Sequence, residues 1–134
     1  MEHSTGSGSA SLELIRPGVT VVRFRPKLKL SVAIINEVMQ ARCADATGSC
    51  AAIVLIPEHT DYDLDLLAVD HFAANGLLHH TDALAIVCQE LGLTPLLRLY
   101  FAYHPPPFAF TFCTSLEEAK SWMRQQAGLV TVMV

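Results

Sequence analysis

The chain alternates between short apolar runs and segments in which apolar residues recur every three or four positions, a pattern typical of α/β proteins. The clearest run is Ala51–Ile56, which is apolar on both faces of an extended chain. A strand without a polar face needs cover above and below, so it belongs in the middle of a sheet. Pro57 ends the run because proline has no N–H for the ladder. We therefore predict that Ala51–Ile56 is a central strand.

Other apolar runs predict further strands. Ala83–Cys88 is also apolar on both faces, whereas the segment 108–113 alternates phenylalanine with smaller residues and predicts a strand with one aromatic face. The turn signal at residues 16–18 separates two short runs, which predicts a β-hairpin. The valine-rich segment 129–134 predicts an added edge strand. Residues 1–10 are polar and predict a disordered arm, which leaves 11–134 as one domain.

Helices are predicted between the strands from apolar spacing and capping signals. One begins at Thr60, a candidate N-cap with Asp63 at capping-box spacing, and ends at Asn75-Gly76. Another begins with the sequence Thr-Ser-Leu-Glu-Glu, a strong capping box. The predicted helices therefore span Ser31–Ala46, residues 60–75, residues 94–103 and residues 114–128.

Composition and charge exclude several function classes. The chain is 51% hydrophobic and 16% charged, which excludes a disordered protein. Its net charge of −4 gives no general attraction for nucleic acid. No apolar run approaches the ~18 residues of a membrane span. The cysteines show no C-x-x-C spacing, and free thiols in a reducing cytoplasm are expected. The basic residues clustered in 16–29 fit either a soluble edge strand or a surface for an acidic partner.

Aromatic residues concentrate in one part of the chain. Seven of the ten lie between Tyr100 and Trp122, and Arg98 is the only charged residue in the helix around them. A helix that is apolar all round has more than one face to bury. An oversized core, a second subunit and an apolar ligand are all open interpretations, and we predict a homodimer. The candidate surface comprises Leu97, Tyr100, Phe101, Tyr103 and Phe108.

Candidate chemistry gathers after the strands, because ligands of parallel sheets bind beyond the carboxyl ends. A regulatory or ligand-binding loop is predicted at Glu58, His59, Thr60 and Asp61. His59 and Cys88 could pair as a nucleophile, but no third group orients them, so no enzyme is predicted.

Metal sites are not favoured by the sequence either. His79-His80 precedes a strand and lies at the opposite edge of the sheet, where solvated histidines are expected. The repeat of aspartates at 61, 63 and 65 resembles a calcium loop but lacks its glycine and its final glutamate. We predict no metal and no cofactor.

The order of elements and the segment Phe112–Met123 resemble the SpoIIAA-like, STAS-like bacterial proteins. That segment matches their phenylalanine, serine or threonine, two glutamates, alanine and closing tryptophan-hydrophobe pair. The likeness covers about residues 11–127. It implies an N-terminal hairpin, then βα units in a mostly parallel mixed sheet with sequential strand order.

The resemblance implies protein–protein switching or apolar-ligand binding. Anti-sigma-factor antagonists carry an Asp-Ser-x-Gly type phosphorylation motif after the central strand, whereas this chain has His59-Thr60-Asp61-Tyr62. The acidic neighbours of Thr60 would repel a phosphate, so the phospho-switch is not carried over.

The expected function is a non-catalytic STAS-like interaction module in the cytoplasm. The alternative is a binder of an apolar small molecule or lipid tail near the helix 95–103. A cavity between this helix and the strand 108–113 would favour the ligand, and a filled contact would favour the module.

Overall fold

The computed structural model describes residues 4–6, 9–16, 18–45, 50–58, 60–77, 81–88 and 93–133. Within these residues the strands are β1 Ser4–Gly6, β2 Ala10–Arg16, β3 Val19–Phe24, β4 Lys29–Leu30, β5 Cys50–Ile56, β6 Asp61–Tyr62, β7 Thr81–Cys88 and β8 Ala109–Cys113. The α-helices are α1 Val32–Asp45, α2 His71–Ala74, α3 Leu93–Tyr103 and α4 Leu116–Met133, and a 3-10 helix spans Leu64–Ala68.

The main sheet has the strand order β1-β2-β3-β5-β7-β8. Strands β1, β2 and β3 pair antiparallel, whereas β3, β5, β7 and β8 pair parallel. Strand β5 lies between β3 and β7, which confirms the prediction that Ala51–Ile56 is a central strand. The sequential order of the parallel strands is also as predicted. Strands β4 and β6 form a separate parallel pair.

Helices cover both faces of the sheet, which explains why β5 and β7 carry no polar face. Side chains of α1, α2 and α3 pack on one face, and α4 packs on the other. Ile53 and Ala85 point toward α4 and are 0% exposed. Ala52 and Leu84 point toward the three other helices. This covering on both faces is the arrangement that two-sided apolar strands require.

The start of α4 follows the predicted capping box. Ser115 Oγ accepts a hydrogen bond from the Glu118 N–H at 3.1 Å. The Glu118 carboxylate in turn accepts from the Thr114 N–H at 2.8 Å. The predicted end at Gly128 and the predicted strand 129–134 are wrong, since the helix continues through Met133. A helix already nucleated can propagate through one glycine, which costs only about 1 kcal/mol.

The predicted single helix over residues 60–75 is also wrong. The chain forms β6, the 3-10 helix and α2 in its place. Thr60 caps no helix, because its hydroxyl donates to the Pro57 carbonyl at 2.6 Å. Asp70 caps α2 instead, accepting from the Ala73 N–H at 3.1 Å. Aspartates bind nearby backbone groups outside helices, and this competition divides the segment. The predicted end holds, with Gly76 at φ +71°.

The N-terminal arm differs from its prediction over three residues. Ser4–Gly6 pairs antiparallel with β2, and β2 begins at Ala10. An edge strand offers free backbone N–H and C=O groups, which pair with any adjacent extended segment, even a polar one. The prediction of a disordered arm is therefore wrong for Ser4–Gly6.

Candidate apolar ligand site

An apolar cavity of about 140 Å³ lies on the sheet face that carries α1, α2 and α3. Strands β3, β5 and β7 form its floor, α1 and α3 form its sides, and the segment from β6 to α2 closes one end. Only apolar atoms are exposed on its wall. Floor positions include Val22, Val54 and Ile86, which are register partners in one row across the sheet.

The size of one side chain helps to explain the empty space. Ala52 is a floor residue with Leu84 as its neighbour on β7. Its side chain is a single methyl group and is 1% exposed. Most of the other residues that line the cavity are larger, so the small side chain of Ala52 leaves space on the floor that a larger one would fill. The side chains that line such a void have no van der Waals partners on the side that faces it. The void persists only when the surrounding structure is rigid.

Helix α3 supplies one side of the cavity with residues from the predicted aromatic surface. Leu97, Tyr100 and Phe101 line it. Phe108 is buried beyond the cavity, its ring 5.1 Å from that of Phe72. Tyr103 points outward and is 61% exposed. Sequence reasoning therefore found this side of the site.

Two parts of the aromatic prediction need correction. Tyr100 was expected to be a candidate outward-facing residue but is 9% exposed. A cavity between α3 and β8 would have favoured a ligand there, but no residue of β8 lines the cavity. Rings fill that contact instead, with Phe101 stacked on Phe110 at 4.6 Å between centroids. Arg98 also lies 4.7 Å from the centre of the Phe112 ring.

His71 is a cavity residue that the sequence did not single out. Its backbone N–H donates to the Tyr100 hydroxyl at 2.9 Å, and its ring stacks on the Tyr100 ring. Its Nε2 lies 3.0 Å from the Leu66 carbonyl. A carbonyl can only accept, so Nε2 carries the proton and Nδ1 is an acceptor. Nδ1 is buried and has no hydrogen-bond partner.

Burial keeps the polar side chains at this end of the cavity uncharged. Desolvation lowers the pKa of His71 below its ordinary value, although the bond to Leu66 opposes the shift. Desolvation also raises the pKa of Tyr100 to about 12. His104 binds the adjacent carbonyl, with its Nε2 2.8 Å from Leu67 O. Two imidazoles thus hold successive carbonyls of the 3-10 helix.

The predicted loop at residues 58–61 does not reach the cavity. Glu58 and Asp61 are exposed, and Asp61 accepts a hydrogen bond from the Tyr62 N–H at 2.8 Å. Thr60 is 6% exposed, and its hydroxyl is held by Pro57. His59 lies outside the described residues. The described members of this loop therefore do not form a ligand site with the cavity.

Cys88 and Cys113 are buried, and neither forms a disulfide. They belong to core clusters on opposite faces of the sheet. Burial raises the pKa of the Cys113 thiol, and the nearby Glu118 carboxylate adds to the shift. A thiol with a raised pKa is a poor nucleophile at neutral pH. The pairing of Cys88 with His59 involves a residue outside the described part of the chain.

Among the described residues, no three histidine, cysteine, aspartate or glutamate side chains lie together as metal ligands do. His79 and His80 lie outside that part of the chain. In the acidic stretch, Asp63 pairs with Lys29 at 3.1 Å. The hydrogen bond to Asp63, followed by its charge and that of Asp61, raises the pKa of Lys29. This pairing connects Asp63, the residue after β6, to Lys29, the first residue of β4.

The fold and the cavity define an α/β protein with an apolar pocket between its sheet and one helical layer. No family model, curated protein or solved structure matches the chain. The resemblance to SpoIIAA-like proteins therefore stays a prediction. Within the described residues, no helix has the length and apolar character that crossing a membrane requires.

Proposed function

We propose that the protein is a non-catalytic binder of a small apolar molecule, held in the cavity beneath α3. The observation that carries the proposal is a cavity of about 140 Å³ with only apolar atoms on its wall. A water molecule needs two to four polar partners, and such a wall offers none. Cavities of roughly 150 Å³ lined by leucine, isoleucine and phenylalanine stay dry and bind benzene or xenon.

The cavity volume restricts the class of ligand. A single six-membered ring or an aliphatic chain of about five or six carbons fits a cavity of roughly this size. A long acyl chain would place only its end inside. Burying about 150 Å² of ligand surface at ~25 cal/mol per Å² contributes about 4 kcal/mol, which corresponds to dissociation constants near the millimolar range. Tighter binding would need further contacts outside the cavity.

Benzene binding followed by NMR tests this proposal. We expect benzene to shift the methyl signals of Val54 and Ile86 at millimolar concentration. The variant Ala52→Leu fills the floor and should weaken benzene binding at least tenfold. Ala102→Leu makes the same change at an exposed position of α3 and is the matched control. Equal binding by wild type and Ala52→Leu would contradict the proposal.

A second candidate function is a STAS-like protein-interaction module, one of the roles that the resemblance implies. The filled contact between α3 and β8 supports it, as do exposed apolar side chains on those two elements. Leu99 is 41% exposed, Tyr103 61% and Phe110 37%. Residues of this kind are enriched at interface centres. Light scattering of the purified protein, alone and with substitutions at Tyr103, tests this candidate.

A further inference from the structure

One end of the cavity is closed by a chain segment built from very short elements. Residues 61–76, here called the cap, comprise β6, the 3-10 helix and α2. The cap contributes Tyr62, Leu66, Leu67, His71 and Phe72 to the cavity wall. A four-residue helix and a two-residue strand have few internal hydrogen bonds, so their position depends on contacts with the rest of the protein.

Polar contacts of the cap with α3 are made by two side chains. Tyr100 accepts from the His71 N–H, and His104 binds the Leu67 carbonyl. At the other end, the Asp63 N–H donates to the Leu30 carbonyl at 2.9 Å. Gly76, with its positive φ, follows the cap helix at the point where the chain leaves the cavity. On the side of α1, Asn75 Nδ2 donates to Asn36 Oδ1 at 3.0 Å. The cap is therefore held at the 3-10 helix and α2 by bonds to Tyr100, His104 and Asn36.

The neutral ring of His71 makes one hydrogen bond and leaves one ring nitrogen without a partner. Nε2–H donates to Leu66, and Nδ1 is a buried acceptor without a partner. Protonation would place a second N–H and a positive charge beside a cavity that offers no acceptor. An unsatisfied buried donor costs about 1–3 kcal/mol, and more when it is charged. The closed cap therefore disfavours an imidazolium at residue 71.

Charged and titratable groups near His71 come from two elements of the described structure. On the cap, the Asp70 carboxylate favours the imidazolium. Directly after α3, the His104 ring disfavours it, and on α3 the Tyr100 hydroxyl is neutral. The remaining cavity wall is apolar. Desolvation is the largest effect and favours neutral His71.

We propose that residues 61–76 form an acid-sensitive gate, which covers one end of the cavity while His71 is neutral and opens when its Nδ1 takes up a proton. In the open state the imidazolium reaches water, and the bond from the His71 N–H to Tyr100 is lost. The role that we assign to the gate, release of an apolar ligand at acid pH, rests on the proposed function. The pH-dependent motion of the cap does not depend on that function.

The direction of the pH dependence follows from proton linkage. His71 has a lower pKa in the closed state than in the open state, so the open state binds more protons as pH falls. The closed state has its full stability above the ordinary histidine pKa of about 6.5. Below that pH, each further unit should raise the open fraction about tenfold until the pKa of the closed state is reached.

Amide hydrogen exchange of the empty protein between about pH 5 and pH 7.5 tests the gate, after correction for the intrinsic exchange rate. We expect opening of the cap amides to increase about tenfold per unit below pH 6.5, while amides of β5 and β7 stay protected. Opening that is independent of pH, or that involves β5 and β7 equally, would overturn the proposal.

Two variants separate His71 from other titrating groups. In His71→Gln the amide can still donate to Leu66 but does not titrate, so cap opening should lose its pH dependence. His104→Gln is the matched control and should keep it. Unchanged pH dependence in His71→Gln would overturn the gate. If His71→Gln does not fold, NMR titration of His71 in wild type decides the question, because an ordinary or raised pKa would overturn it.

Benzene distinguishes this inference from the proposed function. Weaker benzene binding at about pH 5 than at pH 7.5 supports both. If benzene does not bind at neutral pH, the proposed function fails, and the exchange measurements alone decide whether the gate exists.

Discussion

At the scale of single residues, the Tyr100 hydroxyl connects α3 to the first residue of α2. It accepts the backbone N–H of His71, one of the donors that a helix start leaves without an internal partner. His71 is 5% exposed, so water does not readily replace the hydroxyl. The tyrosine ring also lines the cavity. One side chain thus combines a packing role with a capping role.

The variant Tyr100→Phe separates these two roles. It keeps the ring but leaves the buried His71 N–H without an acceptor, which should lower the free energy of unfolding by about 1–3 kcal/mol. Chemical denaturation measures the change. Tyr103→Phe is the control, because Tyr103 is exposed, and its effect should stay within about 0.5 kcal/mol. Equal effects of the two substitutions would show that the hydroxyl of Tyr100 has no capping role.

At the scale of elements, the capping box of α4 combines signals that are local in sequence. Ser115 and Glu118 lie three residues apart. Ser115 Oγ accepts from the Glu118 N–H, and the Glu118 carboxylate accepts from the N–H of Thr114, the residue before Ser115. Such bonds depend on few distant contacts. This is why the start of α4 could be predicted from its sequence.

Replacing the N-cap residue measures the strength of this start. Ser115→Ala removes the acceptor for the Glu118 N–H and should lower the free energy of unfolding by about 1 kcal/mol. Thermal and chemical denaturation report the change. Ser121→Ala, at an exposed position inside α4, should be neutral or slightly stabilising because alanine has the higher helix propensity. A loss of stability in Ser121→Ala as large as that in Ser115→Ala would contradict the capping role.

The elements that sequence predicted well are those whose pattern depends on few distant contacts. Two-sided apolar runs predicted β5 and β7 because only interior strands need such runs. The cap was not predicted, since capping-box spacing at Thr60 and Asp63 is also compatible with local bonds outside a helix. The side of the site on α3 was visible as an aromatic excess. His71 was not, because its role depends on Tyr100, which lies 29 residues away.

At the scale of the whole molecule, the sheet faces carry different layers. Helix α4 packs on small side chains such as Ala85, and no cavity lining residue belongs to that side. Helices α1, α2 and α3 share the other face and enclose the cavity. The cavity therefore depends on how three separate elements meet, and a pattern within any one of them does not specify its volume. This is the physical reason why the sequence, which offered an apolar ligand as the alternative function, did not indicate that the cavity lies over β3, β5 and β7 and not against β8.

The large apolar side chains that stay exposed in this region lie on the outer side of α3 and on the edge strand β8. Tyr103 and Leu99 lie one helical turn apart, and both are more than 40% exposed. We expect the protein to form a symmetric dimer through this surface, since burying such side chains contributes on the order of 2 kcal/mol each. Tyr100 is buried and does not belong to this exposed surface.

The variant Tyr103→Glu should convert the dimer to a monomer, because it places a charge at the centre of the contact without disturbing the core. Light scattering at tens of micromolar, about the range of a weak dimer, measures the change in mass. Leu64→Glu is the matched control, since Leu64 is 68% exposed on the 3-10 helix and lies outside this surface. The control should remain a dimer.

A monomeric wild type at this concentration would contradict self-association, and the exposed tyrosine would then have to serve a different protein partner. A dimer that persists in Tyr103→Glu would place the interface on another face of the molecule.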